Sequence, residues 1–242
     1  MVATLVLFGG ALAAATGPAA PAPAVVATAA AEKQVAAAFP GWQIQNRAEG
    51  DLNGDGLADL VVTLKRPDGE PVAKETSDDE SGRQAWLAVF LRTADGKLRL
   101  HTKAARAVCI GCGGARSDWS AVIGEPAIDG KGILTVDYEG GSREAWSDRY
   151  KWRYDKARDH FALIGETTQT RDTLNDDGRL DRGSVSFEDI NFLSGKMVRK
   201  LEGRGQRKCA VKPEIAVLDL AAFDFEKFGD IEEKAVRGSC RK

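Results

Sequence analysis

The run Asp51-Leu52-Asn53-Gly54-Asp55-Gly56-Leu57-Ala58-Asp59 carries side-chain oxygens at its first, third, fifth and ninth positions. Glycines fill the fourth and sixth. A hard cation such as calcium takes roughly 6–8 oxygen ligands. The carboxylates of Asp51, Asp55 and Asp59, the amide oxygen of Asn53 and the carbonyl of Leu57, with a water, supply that number. Gly54 and Gly56 permit the positive φ angles of so tight a wrap. Three carboxylates within nine residues repel one another unless a cation lies between them, so the expected cofactor is a structural calcium ion. An EF-hand needs a bidentate Glu at the twelfth loop position, and that position is Val62. The shorter scheme, in which Asp59 closes the shell and a strand starts at once, is what remains. A weaker second site is Asn175, Asp177 and Asp181, with Thr173 at the first position and Gly178 at the sixth. A solvated hairpin tip is the competing and preferred reading there.

Four cysteines occur, Cys109, Cys112, Cys209 and Cys240. An even number suggests disulfides in an exported chain. Three pairings are open, and Cys109–Cys112 with Cys209–Cys240 is preferred. Closing the longer of these loops contributes roughly 3–4 kcal/mol in the chain-entropy model. Cys109-Ile110-Gly111-Cys112 has redox spacing, but Gly111, Gly113 and Gly114 oppose the helix that would activate a thiol. A local structural disulfide is therefore expected, ahead of a zinc site built from all four thiolates.

Arg149 to Tyr154 alternates basic and aromatic residues with period two. As a strand it sets Tyr150, Trp152 and Tyr154 on one face and Arg149, Lys151 and Arg153 on the other. The plain reading is an aromatic core face and a solvated basic face; the sharper one is an aromatic platform for sugar, or a basic stripe for an anionic polymer. No nucleophile elbow, phosphate-binding glycine loop or His-Glu-x-x-His segment is present. With only His101 and His160 in the chain, histidine-based catalysis and zinc chemistry have little material. Glu144 and Asp148 are not distinguishable from surface charge by spacing.

These residues need a scaffold, and its pattern is that of strands. Glu32 to Phe39 reads as a short helix ended by Pro40-Gly41. Trp42 to Asn46, Leu60 to Leu64, Ala85 to Arg92 and Leu98 to Lys103 read as strands, the last pair joined at Asp95-Gly96. Pro67 to Arg83 is a polar loop. Ile133 to Tyr138, Arg149 to Tyr154, His160 to Thr168, Ser184 to Asn191 and Lys196 to Leu201 continue the series, with Ser194-Gly195 as a turn. Ile215 to Leu220 reads as a last strand and Ala221 to Phe228 as a short helix. The expected fold is mainly β, an antiparallel sandwich or meander with one or two short helices.

The 242 residues are 43% hydrophobic and 29% charged, ordinary globular composition. The formal net charge of −2 provides no field for nucleic acid or an anionic membrane. The first 31 residues carry no charged side chain. Met1 to Ala15 is apolar, shorter than the ~20 residues of a spanning helix, and an Ala/Pro stretch follows. This matches a secretory signal, cut after Ala29, Ala31 or an earlier alanine, although a basic start is missing. The expected organisation is a signal peptide and Ala/Pro stretch over 1–31 and a single β-rich domain over 32–242. A polar hairpin insertion falls near 171–189. The location is periplasmic or secreted, without stable membrane insertion.

The loop resembles those of FG-GAP and VCBS repeats over Glu49 to Thr63. Those families stack several copies into a propeller, and one strong copy argues against that here. Pro40-Gly41-Trp42, the Gly50–Gly56 run, Cys112-Gly113-Gly114, Tyr150 to Tyr154 and Asn191 to Lys196 together resemble small secreted or periplasmic bacterial proteins known by a single such loop. The resemblance implies an exported β-rich calcium protein and brings no known activity. The expected function is non-enzymatic, a binding or structural role at the cell envelope. Alternatives are a polysaccharide-binding module or hydrolase with a calcium-ordered loop, and a periplasmic inhibitor or immunity-type protein. Partners would be another exported protein or a cell-envelope polysaccharide, with no nucleic acid.

Overall fold

The computed structural model describes residues 29–67, 85–175, 177–211, 215, 217–229 and 240–241. Helix α1 (Ala29–Ala38) leads into a four-stranded antiparallel meander of β1 (Gln43–Gly50), β2 (Asp59–Lys65), β3 (Ala85–Arg92) and β4 (Leu98–Ala104). A two-stranded ribbon follows, β5 (Cys109–Ile110) with β6 (Val122–Ile123). The second large sheet is an eight-stranded meander. It holds β7 (Glu125–Ile128), β8 (Ile133–Gly141), β9 (Glu144–Asp155), β10 (His160–Asp172), β11 (Val185–Asn191), β12 (Lys196–Leu201), β13 (Gly205–Ala210) and β14 (Cys240–Arg241). Within each sheet every strand pairs antiparallel with its sequence neighbour.

The burial pattern explains the layering. Residues 59–64 of β2 are all buried, as are residues 85–91 of β3. A strand hidden on both faces reads as a continuous apolar run rather than an alternation. One face of the small sheet, with Leu60, Val62, Leu64, Trp86, Ala88 and Phe90, packs under α1 through Ala31, Val35 and Phe39. The other face, with Val61, Leu87, Val89 and Leu91, meets the large sheet at Leu134, Val136, Trp152, Phe161 and Leu163. The order of layers is helix, small sheet, large sheet. Gln34 ties the helix down by accepting the Leu98 N–H at 2.7 Å.

Three sequence expectations change. Ile215 to Leu220 is not a strand: it makes a single bridge from Asp219 to Ala162 and enters a 3-10 turn at Leu220–Ala222. Ile215 and Leu220 are buried in the core while Val217 stays exposed, and just beyond them Phe223 and Phe228 pack on Tyr150 of β9. The Asp95-Gly96 turn is longer than two residues, because the Thr93 N–H closes on the Lys97 carbonyl at 2.8 Å and Gly96 takes a φ of 81°. Ala29 to Ala31, placed in the signal stretch from the sequence, form the first turn of α1, and Ala31 is buried. The polar loop expected from Pro67 to Arg83 lies, beyond Pro67, outside the described residues, as does the apolar segment before Ala29. Among the described residues no helix is long and apolar enough to cross a membrane.

Candidate functional site

The acidic loop fills the connection between β1 and β2. Its backbone is wound around the Asp51 carboxylate, which accepts the N–H of Gly54 at 2.7 Å, Asp55 at 3.1 Å and Gly56 at 2.9 Å. Asn53 Oδ1 accepts the Asp55 N–H, and Asp55 Oδ1 accepts the Leu57 N–H. Gly54 and Gly56 take φ of 70° and 85°, the left-handed turns that their lack of a side chain allows. Asp59 stands apart from these. It opens β2, is fully buried, and accepts the N–H of Leu52 at 2.9 Å on one oxygen and of Arg92 at 2.7 Å on the other. Burial pushes its carboxyl above the usual range against those two N–H bonds, and Asp55 and Asp51 push it further. Among the described residues no Lys or Arg forms an ion pair with Asp51, Asp55 or Asp59.

Two neighbouring turns flank the loop. The β7–β8 turn brings Gly132 so close that a Cβ there would lie 2.6 Å from the Asp51 carbonyl. On the other side, Lys156 in the β9–β10 turn places its Nζ 3.4 Å from where a Gly54 Cβ would stand. That turn also holds Asp159 at a φ of 51°, the one non-glycine positive φ among the described residues. Asp159 meets His101 Nε2 at 2.9 Å and accepts the Tyr154 hydroxyl. His101 Nδ1 in turn contacts Thr102 Oγ1 at 2.7 Å, and the ring packs edge-on against Tyr154 and Phe161. The bond to Asp159 pushes the Tyr154 hydroxyl up to about 12 and holds Asp159 below the ordinary carboxylate range. This group clasps β4 of one sheet to the β9–β10 turn of the other, a structural use of the single histidine in β4.

The donors of the loop are all oxygens, the set a hard cation prefers, and among the described residues no Lys or Arg pairs with its carboxylates. The side chains have nevertheless closed on the loop's own amides. Among the described residues no three His, Cys, Asp or Glu side chains converge into a preformed metal cage. The second acidic loop differs in kind. Asp172 is buried against Arg143, with contacts of 3.0 and 2.8 Å, and Asp177 pairs with Arg179 at 3.2 Å. Asn175 spends its amide on Asp172 and the Arg179 carbonyl. Asp181 and Arg182 are exposed, while Leu180 before them is buried. In this turn between β10 and β11, Asp172 and Asp177 already have arginine partners.

Cys109 and Cys112 form a disulfide, with Cα atoms 6.0 Å apart. Cys209 is also disulfide-bonded, and the β13–β14 register sets Cys240 directly opposite it. The aromatic face of β9 is core: Trp152 is fully buried, Tyr150 nearly so, and both pack on Phe223 at 4.9 Å. Of the opposite face, Arg149 binds Asp137 through two contacts, and Lys151 reaches Thr167 at 2.9 Å and Asp189 at 3.4 Å. The sugar platform considered for Tyr150, Trp152 and Tyr154 is therefore ruled out at Tyr150 and Trp152.

One polar row escaped the sequence reading. Cross-strand register places Asp148, Thr168, Glu188 and Arg199 side by side across β9 to β12, continuing the core-facing side of the sheet. Glu188 pairs with Arg199. Burial pushes the Asp148 carboxyl up to about 6 against a bond from Thr168. Glu166, one step along β10, is buried and bonded to the Tyr150 hydroxyl. Strand parity was the available signal: Asp148 shares its face with Tyr150 and Trp152. No protein-family model matches the chain, and no curated protein matches it.

Proposed function

We propose that this is a non-enzymatic, β-rich binding or structural protein of the periplasm or cell exterior, whose Asp51–Asp59 loop is ordered by one calcium ion. Asp59 carries the reading. It is a fully buried carboxylate beside two other carboxylates, and its partners are backbone N–H groups rather than a cation. A buried charge without a counter-ion is costly. A divalent cation offsets that cost for all three acids at once. Each carboxylate oxygen that accepts one N–H keeps further acceptor capacity. Asp55 is exposed and Asn53 half-buried, so both have room to turn toward an ion. Asp51 and Asp59 would hold the ion from the strand side, Asn53, Asp55 and the Leu57 carbonyl from the loop side. Bound there, calcium would neutralise the acids and fix the entry of β2 into the buried small sheet. Two disulfides and an apolar, uncharged N-terminal stretch support an exported setting.

The test is thermal unfolding of the purified protein in 1 mM calcium and in chelator, with magnesium as control. Ligand at about a hundredfold excess over Kd stabilises by about 2.7 kcal/mol. An unchanged midpoint in calcium overturns the calcium reading.

A further inference from the structure

A cavity of about 470 Å³ opens where the disulfide-bridged segment after β5 overhangs the large sheet. Arg116 comes from the 3-10 turn Gly114–Arg116, Glu139 from β8, Trp146 from β9, Gln169 and Arg171 from β10, and Ser186 from β11. Both arginines are exposed, and among the described residues neither forms an ion pair. This is unlike Arg143, Arg149 and Arg199, each of which holds a carboxylate. Among the described residues Glu139 is the one carboxylate lining the cavity beside them, so their lining keeps a positive excess.

The wall is also held in place. A Cβ on Gly140 would lie 2.4 Å from Trp146 Cζ2 and 2.6 Å from the Gly113 carbonyl, so only glycine lets the overhanging loop seat against the sheet and the indole. The Gly141 N–H donates to the Gly113 carbonyl at 2.8 Å, and the Trp146 ring rests on Phe225 with centroids 6.2 Å apart. The Cys109–Cys112 bridge braces the base of the same segment. Three residues beyond Arg116, Trp119 is 68% exposed, an indole spent on no core.

We propose that this cavity binds an acidic saccharide, a sugar unit bearing a carboxylate or sulfate. Guanidinium groups recognise such anions by paired N–H bonds. Indole rings present an apolar face with a polar edge. Gln169, Glu139 and the serine hydroxyls supply the mixed donors and acceptors that sugar hydroxyls require. A site with few charged groups, one aromatic and several neutral hydrogen-bonding side chains selects a polar ligand with apolar ring faces. A bare inorganic anion would use only the arginines. The inference rests on the reading of the chain as an envelope binding protein and names its partner class; it does not use the calcium loop.

The experiment is calorimetric titration of the full purified chain with trigalacturonate and with a sulfated heparin disaccharide, each in calcium and in chelator. Methyl-esterified trigalacturonate and inorganic sulfate serve as controls. At least one acidic sugar binds, quenches tryptophan fluorescence, and loses about tenfold or more in affinity in the Arg116→Gln/Arg171→Gln variant. Both arginines are exposed, so that variant keeps the wild-type unfolding midpoint. Several results overturn the proposal: no binding of either acidic sugar at millimolar concentration, equal binding of the ester, equal affinity for inorganic sulfate, or an unaffected double variant. Sugar binding that persists in chelator, beside an absent calcium shift, defeats the calcium loop alone. A calcium shift without sugar binding defeats the cavity alone.

Discussion

Replacing Asp59 by Asn isolates what a buried carboxylate does at the start of β2. Asp59 uses both oxygens as acceptors, for Leu52 N–H at 2.9 Å and Arg92 N–H at 2.7 Å. An amide has the same shape but only one acceptor atom; its NH2 must face one of the two N–H groups. One hydrogen bond to a charged acceptor is lost and one buried donor is left without a partner, together about 3 kcal/mol. Removing the charge returns part of this, because burial disfavours the ionised form, as the raised pKa shows. The net loss in chelator is about 2 kcal/mol, a fall in midpoint of about 4–8 °C for a chain of this size. In calcium the gap widens, since Asp59→Asn also removes a charged ligand. Thermal unfolding followed by circular dichroism, with urea titration as a second measure, reads both numbers. An Asp59→Asn protein within 0.5 kcal/mol of wild type in chelator, a margin typical of surface changes, refutes the dual-acceptor account. A deficit equal in chelator and in calcium leaves the hydrogen bonds but removes the ion.

Asp148 has a second, pH-dependent consequence. Its carboxyl titrates near 3.8 when unfolded and at about 6 in the folded chain. The folded state therefore holds its proton more tightly. The stability from that group is fully present below pH 3.8 and is lost as pH rises to about 6, after which the contribution is flat. The amplitude is about 2–3 kcal/mol. Asp148→Asn flattens urea-derived stability across this window, and an unchanged slope in the variant removes Asp148 as its source. Replacing Cys109 and Cys112 together by Ser opens a small ring, for which the chain-entropy model gives about 2 kcal/mol. Urea unfolding of that double variant shows a loss of this size, and affinity for the acidic sugar falls as the segment bearing Arg116 loosens. Full stability and full affinity in the double variant would show that the bridge braces nothing.

Most of the meander was readable from one dimension. Buried strands such as Ala85 to Arg92 announce themselves by apolar runs, and hairpins by glycine at turns, because both are local consequences of burial and backbone geometry. The acidic loop was legible for the same reason: its ligand spacing and its glycines are consecutive. Periodicity also placed Trp152 on an aromatic face, yet could not say whether that face met water or core. The segment from Ile215 to Leu220 reads as a strand but is not one, because an apolar, β-prone run can place its buried residues on the core without joining a sheet; tertiary packing overrides the propensity.

Sequence alone thus determined the fold class, the oxygen-rich loop and the short disulfide ring, all set by residues close together in the chain. Only the tertiary structure decided how charge is met. Arg143 and Arg179 pair with Asp172 and Asp177 of the second acidic loop, while no arginine or lysine among the described residues pairs with the acids of the first. It alone brought Asp148, Thr168 and Glu188 into one row from three strands, and Arg116, Trp146 and Arg171 to one cavity. Electrostatic cost depends on distance and burial in space, and strands separated by tens of residues become neighbours only when the sheet forms.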